Sequence, residues 1–544
     1  MDSHPSLPST GPADVLDSWK VIANYLNRDI RTVMRWHRSG GLPVHRLPGG
    51  AKPGVYALKS ELENWRKSNR IHAIEPDQGS PPPVSARVPS VAVLPFVNLS
   101  DEKENEYFGD GLADEIINGL TRVEGLRVTA RTSSFRFRGQ EHDVREIGAR
   151  LGVAALLEGS VQRVGSRVRI RAQLVSSTDG YHLWSDRYDA ELADVFAVQD
   201  QIARSIAAAL KLKLGPPTAS RRATIPEAYN LWLKGRCHQL SRRSIEDLMK
   251  AGECFSQAVA LDPNCAVAHL GLAQHVCNLA ILGLVSPQQV AARGRAALEK
   301  ALELDDSMGE AHAVMGSLRA FLDFDWRGAE HCFSEALARN PGSPLVHSQY
   351  AAFVLMPTRR LERAEAEVGS TLELDPLSPD SHFLMALVYF FQGRCDRAQA
   401  NIQIATEFGA DTPSLEWLSG IIEAVQGRFD SAIARCENAV RRFGGSPMVT
   451  GALGMLYGWA GRHDDARRLL AQLEQAARVT YVSPIYRAWV YAGLGENARA
   501  FEWLDRAVEG RDPHVLHLPV KPVYDKLRGD PRFAALLRKM RLEN

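Results

Sequence analysis

A repeat of 34 residues is the strongest constraint on how the C-terminal part of this chain can fold. Three sets of residues keep this period in phase: Gly393, Gly427, Gly461 and Gly495; Ala398, Ala432, Ala466 and Ala500; and Pro379, Pro413 and Pro447. Glycine favours a turn, and alanine lets a second helix approach a first helix closely. One such helix pair cannot bury its own apolar face, so the pattern predicts a stack of helix pairs with a continuous core.

This period, with Gly and Ala at these positions, resembles the tetratricopeptide repeat. Earlier copies keep the spacing more loosely, as at Ala251 and Ala258. The resemblance implies about eight repeats over residues 226–510. We interpret residues 511–544 as a capping segment that includes an amphipathic helix around Phe533.

Arrays that resemble this one bind partners in the groove lined by their first helices. Phasing by the family pattern points six apolar side chains toward that groove: Phe353, Phe383, Leu387, Trp417, Ile421 and Trp489. We expect a protein or peptide partner there, as an amphipathic helix or an extended peptide, or the middle domain of the same chain. Large apolar residues on repeat helices also pack against the next repeat, and this alternative stays open.

Positive charge is concentrated near the N-terminus. Residues 18–70 hold 11 Lys or Arg and three acidic residues, although the whole chain has a formal net charge of +1. Apolar spacing predicts a helix from Trp19, a second helix from Ile30, and a hairpin whose strands flank Pro48 to Gly54. A last helix is expected from the capping box at Ser60. Such a basic surface attracts phosphate; the alternative is a surface that binds no DNA or only another protein.

The order of these elements in SWKVIANYLNRDIRTVMRWHRSGGLPVHRLPGGAKPGVYALKSELENW resembles the MerR/excisionase-type winged helix. In that family the second helix enters the major groove and the wing reaches phosphate or the minor groove. The resemblance implies two sets of contacts: base edges read by Arg31, Thr32 and Arg35, and DNA backbone held by Arg38, Arg46 and Lys52. One unit of this kind covers only a half-site, so we expect a homodimer on double-stranded DNA.

A linker separates the basic region from a middle domain. Residues 71–89 are rich in Pro, Ser and Gly and lack apolar periodicity, which predicts an extended spacer. Residues 1–17 are expected to be disordered. Residues 90–215 alternate strand and helix patterns, and one alternating run predicts a hairpin covered on a single face, with Val168, Ile170, Ala172 and Leu174 facing inward.

The segments VAVLPFVNLSDEKENEYFGDGLADEI, LLEGSVQRVGSRVRIRAQLV and LWSDRYD resemble the TolB-like N-terminal domain, which often precedes tetratricopeptide repeats in bacterial regulators and some adenylate cyclases. The resemblance implies an α/β domain and carries no chemistry with it. The expected fold class is therefore multidomain: an N-terminal winged helix (α+β), a middle α/β TolB-like domain and a C-terminal all-α solenoid.

Several kinds of site find no support in the residues. The seven cysteines form no C-x-x-C pair, and no Cys/His zinc spacing occurs. We identify no catalytic, cofactor-binding or metal-ligating residues, and so predict a protein that is not an enzyme and needs no cofactor. No apolar run reaches the length of a membrane helix and no signal peptide is recognisable, so we expect a cytoplasmic protein with no membrane partner.

These inferences favour a DNA-binding transcriptional regulator. Its winged helix would bind an operator, and its repeat array would bind a protein or peptide partner. Two alternatives stay open: a scaffold of repeats without sequence-specific DNA binding, and a non-catalytic accessory to a signalling enzyme. Substituting Arg31 and Arg35 separates the first alternative from the regulator, because a scaffold does not depend on these side chains.

Overall fold

The chain divides into two compact units, residues 1–87 and residues 88–544. The computed structural model describes residues 15–16, 18–26, 33, 37, 42–46, 55–68, 89–100, 106–139, 143–165, 167–191, 195–210, 212, 225–241 and 244–542.

The N-terminal unit contains a small antiparallel sheet and two helices among its described residues. Its elements are β1 (Val15–Leu16), α1 (Trp19–Tyr25), β2 (His45–Arg46), β3 (Val55–Leu58) and α2 (Lys59–Ser68). The strand order is β1-β3-β2, so that β3 pairs with both neighbours. The chain thus begins with a sheet-containing region.

A compact apolar core holds this unit together. Its buried residues come from β1, α1, β3 and α2 and from the segment between α1 and β2: Leu16, Ile22, Ala23, Val33, Leu42, Val44, Val55, Ala57 and Leu62. The inward position of Val33 agrees with the expected amphipathic pattern of a second helix. Most of that helix, including Trp36, lies outside the described residues, so its identity as a recognition helix stays a prediction.

The second unit begins with a mixed sheet. Its strands are β4 (Ser90–Val93), β5 (Val97–Asn98), β6 (Arg127–Thr129), β7 (Ala155–Val164), β8 (Arg167–Ser176) and β9 (His182–Glu191). They follow the order β6-β4-β7-β8-β9, with β5 beside β7. Strand β4 pairs in parallel with β6 and β7, and β5 pairs in parallel with β7. Strand β8 is antiparallel to both of its neighbours, β7 and β9.

Helices cover this sheet unequally. They are α3 (Glu106–Leu120), α4 (Arg131–Ser134), α5 (Val144–Leu151) and α6 (Val195–Ala209). In β8 the side chains of Val168, Ile170, Ala172 and Leu174 are buried in the core that α3 and α6 share, and the alternate residues point away. The expected one-sided hairpin is therefore present, as the period of two requires.

Within the described residues, eight helix pairs follow, which we number repeats 1 to 8. Their bounds are Pro226–Ser241 with Ile245–Leu261, Ala266–Ile281 with Pro287–Leu304, Gly309–Leu318 with Trp326–Arg339, Pro344–Tyr350 with Leu361–Leu374, Pro379–Phe391 with Cys395–Glu407, Pro413–Val425 with Phe429–Arg442, Pro447–Trp459 with His463–Ala476, and Pro484–Gly493 with Asn497–Glu509. The C-terminal region of the chain is thus a large all-helical repeat structure.

Repeats 3 and 4 each carry one residue more than repeats 5 to 8. The spacing from Gly294 to Ala329 and from Ala329 to Ala364 is 35 residues instead of 34. In each case the first helix continues into a π-helical turn, Arg319–Asp323 in repeat 3 and Ala351–Leu355 in repeat 4. A π turn holds one residue more than an α turn, so it absorbs the insertion without breaking the stack.

The chain ends in two 3-10 helices, Pro513–His517 and Pro522–Leu527, and a last α-helix, Pro531–Lys539. The array curves far enough for repeat 2 to contact repeat 8. Gln288 Nε2, at the start of the second helix of repeat 2, donates to Glu509 O in repeat 8 at 3.4 Å. A Cβ added at Gly283 in repeat 2 would lie 3.3 Å from the hydroxyl of Tyr486 in repeat 8. The first helices therefore surround an interior.

The middle domain is bonded directly to repeats 4 and 5. Ser133 donates to Asp375 Oδ1 from its amide at 3.0 Å and from its hydroxyl at 2.5 Å, and the amide of Leu377 donates to Ser133 Oγ at 2.8 Å. The amide of Ala130 donates to Leu374 O at 2.7 Å. Arg136 reaches Phe408 O at 2.8 Å. These hydrogen bonds attach the middle domain to the array, and those of Ser133 are buried.

The hydroxyl of Ser133 is expected to stabilise this junction. Ser133→Ala leaves the amide of Leu377 without its acceptor and removes one donor from the buried Asp375 carboxylate, which costs about 1–3 kcal/mol of unfolding free energy. The matched control is Ser185→Ala on the exposed side of β9, which should change that free energy by less than about 0.5 kcal/mol. Urea denaturation measures both. Equal midpoints for the two variants would contradict the role assigned to Ser133.

Candidate functional site

The structure describes the predicted DNA-contacting residues only in small part. Arg31, Thr32, Arg35, Arg38 and Lys52 lie outside the described residues. The backbone of Arg46, the sixth of the set, lies in β2 and pairs with Val55 of β3, the next strand of the predicted wing. The contacts predicted for all six side chains therefore stay predictions.

Two acidic residues of the basic unit form short contacts inside it. His45 Nε2 lies 2.6 Å from Glu61 Oε2, and the hydroxyl of Tyr25 donates to Glu63 Oε1 at 3.2 Å. These contacts join β2 to α2 and α1 to α2. The acidic side chains thus hold the elements together through a histidine and a tyrosine, which is compatible with a basic surface that is left available to phosphate.

All six predicted groove residues lie on first helices, or on the π turn that continues one. Trp417, Ile421 and Trp489 are buried, with 6%, 0% and 1% of their surface exposed. The other three, Phe353, Phe383 and Leu387, are half-buried. The structure therefore brings these side chains to the interior that the array surrounds. Their contact with a partner stays a prediction.

The interior of the array is filled by the end of the same chain, residues 511–542, which we call the C-terminal segment. Val515, Leu516, Leu518, Tyr524 and Leu527 of this segment are at most 2% exposed. The sequence pattern had suggested a cap at the end of the array. Only the last helix of the segment caps the array. Its Lys539 Nζ pairs with Asp505 at 2.5 Å and with Glu509 at 3.2 Å, and both carboxylates belong to the second helix of repeat 8.

A buried lysine anchors the segment beside a stacked pair of tryptophans. Lys521 is 4% exposed, and its Nζ lies 5.2 Å from the ring centroid of Trp417 and 5.5 Å from that of Trp489. The two indoles stack with centroids 5.8 Å apart. An ammonium at this distance from an aromatic face is attracted by the ring quadrupole. Burial lowers the pKa of Lys521 to about 8, against the opposing effect of the Asp512 carboxylate.

Glycines explain why these two tryptophans meet although a whole repeat separates them. A Cβ added at Gly458 in repeat 7 would lie 2.4 Å from the carbonyl carbon of Gly493 in repeat 8. The first helices of these repeats therefore touch backbone to backbone, which no larger residue permits. This close approach draws repeat 8 toward repeat 6, so that Trp489 reaches Trp417.

Polar contacts fix the segment on both sides of Lys521. The Nε2 atom of His517 donates to Ala352 O in the π turn of repeat 4 at 3.0 Å, and Trp489 Nε1 donates to the hydroxyl of Tyr524 at 2.7 Å. Burial and the nearby Lys521 ammonium lower the pKa of His517 to about 3, so this histidine is neutral near pH 7. The neutral ring has one N–H group, which is at Nε2 and donates to Ala352 O.

The segment enters the interior through a polar turn at Asp512. This carboxylate, 1% exposed, accepts from the amide of His514 at 2.9 Å and from the hydroxyl of Tyr481 at 3.1 Å. Burial alone would raise the pKa of Asp512, but His514 and its other hydrogen bonds lower it below its ordinary value. The carboxylate therefore stays charged and is the negative group that acts on Lys521.

Sequence reasoning missed the residues of this segment that contact the groove. His517, Lys521 and Tyr524 lie in a stretch, VLHLPVKPVYDKL, that is too apolar for an exposed tail. That composition was the available signal. It has no helical period, because the stretch folds as 3-10 helices joined by a turn.

A small polar cleft of about 70 Å³ lies between α3 and repeats 1 to 3. Arg236 of repeat 1 donates to Asp114 at 2.8 Å, and Gln274 donates to Glu310 at 3.3 Å. Burial raises the pKa of Glu310, against the attraction of Arg236. A volume of this size holds a few water molecules, and none of the predicted site residues lies there.

Two features are absent from the described residues. No group of three or more His, Cys, Asp or Glu in them is arranged to hold a metal ion. None of their helices combines the length and the apolar character needed to cross a membrane.

Two family models match parts of the chain. Residues 86–205 match the model of the HilA/YgeH-like transcriptional regulator, second domain. Residues 383–447, in repeats 5 to 7, match the tetratricopeptide repeat. The chain therefore carries a HilA/YgeH-like regulator domain followed by tetratricopeptide repeats. The resemblance of the same middle region to a TolB-like domain stays a prediction.

Curated relatives match over part of their length. Putative adenylate cyclase 3 of Rhizobium meliloti is 40% identical over 224 residues, which are 40% of this chain and 38% of that protein. Transcriptional regulator HilA of Salmonella typhimurium is 23% identical over 337 residues, 59% of either chain. This chain thus spans 38% and 59% of the two relatives. Among solved structures, that of Pseudomonas aeruginosa pilF has 16% identity and a TM-score of 0.32, and covers 42% of this chain and 97% of pilF.

The lowered pKa of His517 predicts a pH dependence of stability. Between its lowered pKa of about 3 and the ordinary histidine value near 6.5, the unfolded chain binds a proton that the folded chain excludes. Stability is therefore fully present above pH 6.5 and falls as the pH drops below it. We expect wild type to lose about 1–2 kcal/mol more than His517→Asn between pH 7 and pH 5, measured by urea denaturation.

The control for this measurement is His463→Asn, because His463 is exposed at the start of the second helix of repeat 7. The free energy of unfolding of His463→Asn should change with pH as it does in wild type. If His517→Asn also showed the wild-type pH dependence, protonation of His517 would not be its cause.

Proposed function

We propose that this protein is a DNA-binding transcriptional regulator whose tetratricopeptide array binds a protein or peptide partner. The observation that carries the proposal is the match of residues 86–205 to the second domain of HilA/YgeH-like transcriptional regulators. That domain directly follows a unit in which residues 18–70 hold 11 Lys or Arg against three acids. A regulator needs such a basic unit to bind phosphate.

In this proposal residues 18–70 are a MerR/excisionase-type winged helix, residues 71–89 a linker and residues 90–215 a TolB-like domain. Residues 226–510 are the partner-binding array and residues 511–544 complete it. Arg31, Thr32 and Arg35 read base edges from the second helix, because a guanidinium fork matches O6 and N7 of guanine. Arg38, Arg46 and Lys52 hold the phosphates.

DNA selection tests the first half of the proposal. The full chain is expected to enrich one motif from a random duplex pool, and Arg35→Ala is expected to lose that preference, because each bidentate base contact is worth about 1–3 kcal/mol. The control Lys67→Ala removes one positive charge from α2. It should weaken binding to all sequences alike and keep the motif.

A salt titration of the enriched duplex accompanies the selection, and a steep dependence is expected. Weak binding of every sequence by wild type, or the same motif with Arg35→Ala, would contradict sequence-specific recognition by this helix. Such a result would favour the scaffold, which does not depend on Arg31 or Arg35.

Dimerisation is a separate element of the proposal. One winged helix contacts few base pairs, so two copies on a palindromic site are needed for specific binding. We expect light scattering after gel filtration to give the mass of a dimer on the selected duplex. A monomer mass both with and without that DNA would rule out the dimer and leave the DNA-binding proposal to stand on the selection alone.

A second candidate is supported by the 40% identity to a protein named as an adenylate cyclase, which extends over 40% of this chain. The shared region would then be a non-catalytic accessory to a signalling enzyme, and the chain itself would not be an enzyme. Adding the purified chain to an adenylate cyclase assay separates the candidates. An accessory changes the rate of cyclic AMP formation by a separate catalytic chain, whereas a regulator leaves it unchanged.

A further inference from the structure

The stretch that crosses the groove has the character of a bound peptide. Residues 517–524 read HLPVKPVY. They form a turn that joins the 3-10 helices Pro513–His517 and Pro522–Leu527, and the amides of Val520 and Lys521 donate to His517 O. Leu518 is 0% exposed and Val520 is 9% exposed. The stretch therefore binds through side chains seated among the first helices.

Three side chains of this stretch meet the array in two places. His517 donates to a backbone carbonyl in repeat 4. Lys521 lies beside the stacked indoles of repeats 6 and 8, and Tyr524 accepts from Trp489, which is one of these indoles. The groove thus presents a hydrogen-bond acceptor, a cation site and an indole donor along its length. A ligand is recognised here by the spacing of its polar groups within an apolar stretch.

The docked segment also carries costs. Arg511, the residue that leads into it, has φ 56°, a left-handed conformation that is unfavourable for a side chain with a Cβ. The lysine must give up its hydration to enter the groove. Trp417 Nε1 is buried without a hydrogen-bond partner among the described residues. A ligand without these costs would bind the groove better than the segment does.

Release of the segment would break its contacts with repeats 3, 4, 6 and 8. Gly510 and Arg511 join it to the last repeat, and rotation there would carry it away from the groove. Once it leaves, Trp417, Ile421 and Trp489 become exposed as an apolar surface, and such a surface is unstable in water unless another ligand covers it.

From these contacts we propose that the groove is a binding site for an apolar peptide with a lysine at its centre, and that the C-terminal segment is its resident occupant. A protein partner with the same pattern binds by displacing the segment. This inference names the partner class of the array and rests on the partner-binding half of the proposed function.

A labelled peptide of residues 511–542 tests this in the full chain. In Lys521→Glu a carboxylate replaces the ammonium beside the two indoles, where the ring faces and Asp512 repel it. The resident segment should therefore leave the groove in a larger fraction of the molecules. The peptide should then bind this variant at least about tenfold more tightly than wild type, since apparent affinity follows the fraction of open groove. The same peptide carrying Lys521→Glu should not bind. Fluorescence anisotropy measures both.

The matched control is Lys526→Glu, because Lys526 lies in the same segment but is exposed. It should bind the peptide as weakly as wild type does. Equal binding by all three chains, or none by Lys521→Glu, would overturn the proposal. Dimers of Lys521→Glu that form by exchange of the segment would make a second copy the ligand, and would also overturn the assignment of a separate partner.

Hydrogen exchange in wild type gives an answer even if Lys521→Glu fails to fold. Amides of residues 513–540 should exchange together and at least about tenfold faster than those of Phe429–Arg442 in repeat 6, because the segment opens as a local unit. If the amides of both regions exchanged at the same rate, by global unfolding only, the segment would be a permanent part of the core. That result would contradict the proposed release. DNA selection is independent of these results, so either proposal can fail alone.

Discussion

Close approach of helices at small side chains is the constraint on which the array depends. Ala398, Ala432, Ala466 and Ala500 have no exposed surface, because the helices of each pair meet there. A small rotation repeated along the stack curves it, until repeat 2 and repeat 8 touch. The first helices then surround a space lined by Phe, Leu, Ile and Trp side chains. Such a space is stable only when an apolar ligand replaces water in it.

The C-terminal segment fills this space, and Lys521 determines how it lies there. A leucine at this position would pack on the two indoles without losing hydration, so the lysine does not serve stability alone. The ammonium is compatible with the interior only where Trp417, Trp489 and the Asp512 carboxylate surround it together. A shift of the segment along the groove would bury the charge without them. The lysine therefore fixes the register of the segment.

The sequence predicts those parts of the structure that repeat or alternate. The 34-residue period and the inward face of Val168, Ile170, Ala172 and Leu174 are local patterns, and the structure has both. The position of the C-terminal segment has no such pattern, because its contacts join residues far apart, as His517 and Ala352 are by 165 positions. The π turns are predictable in part. A spacing of 35 residues indicates that one residue is inserted, but it does not show that a π turn accommodates the insertion. The DNA contacts predicted for Arg31 and Arg35 stay predictions.

Repeat 4 connects the groove to the middle domain. Ala352 O in its π turn accepts from His517, and Leu374 O and Asp375, at the end of its second helix, accept from Ala130 and Ser133. The π turn accommodates the inserted residue, as the π turn of repeat 3 does, so the repeat itself holds this carbonyl in place. The C-terminal segment and the middle domain are therefore bonded to the same repeat, one at the end of its first helix and the other at the end of its second.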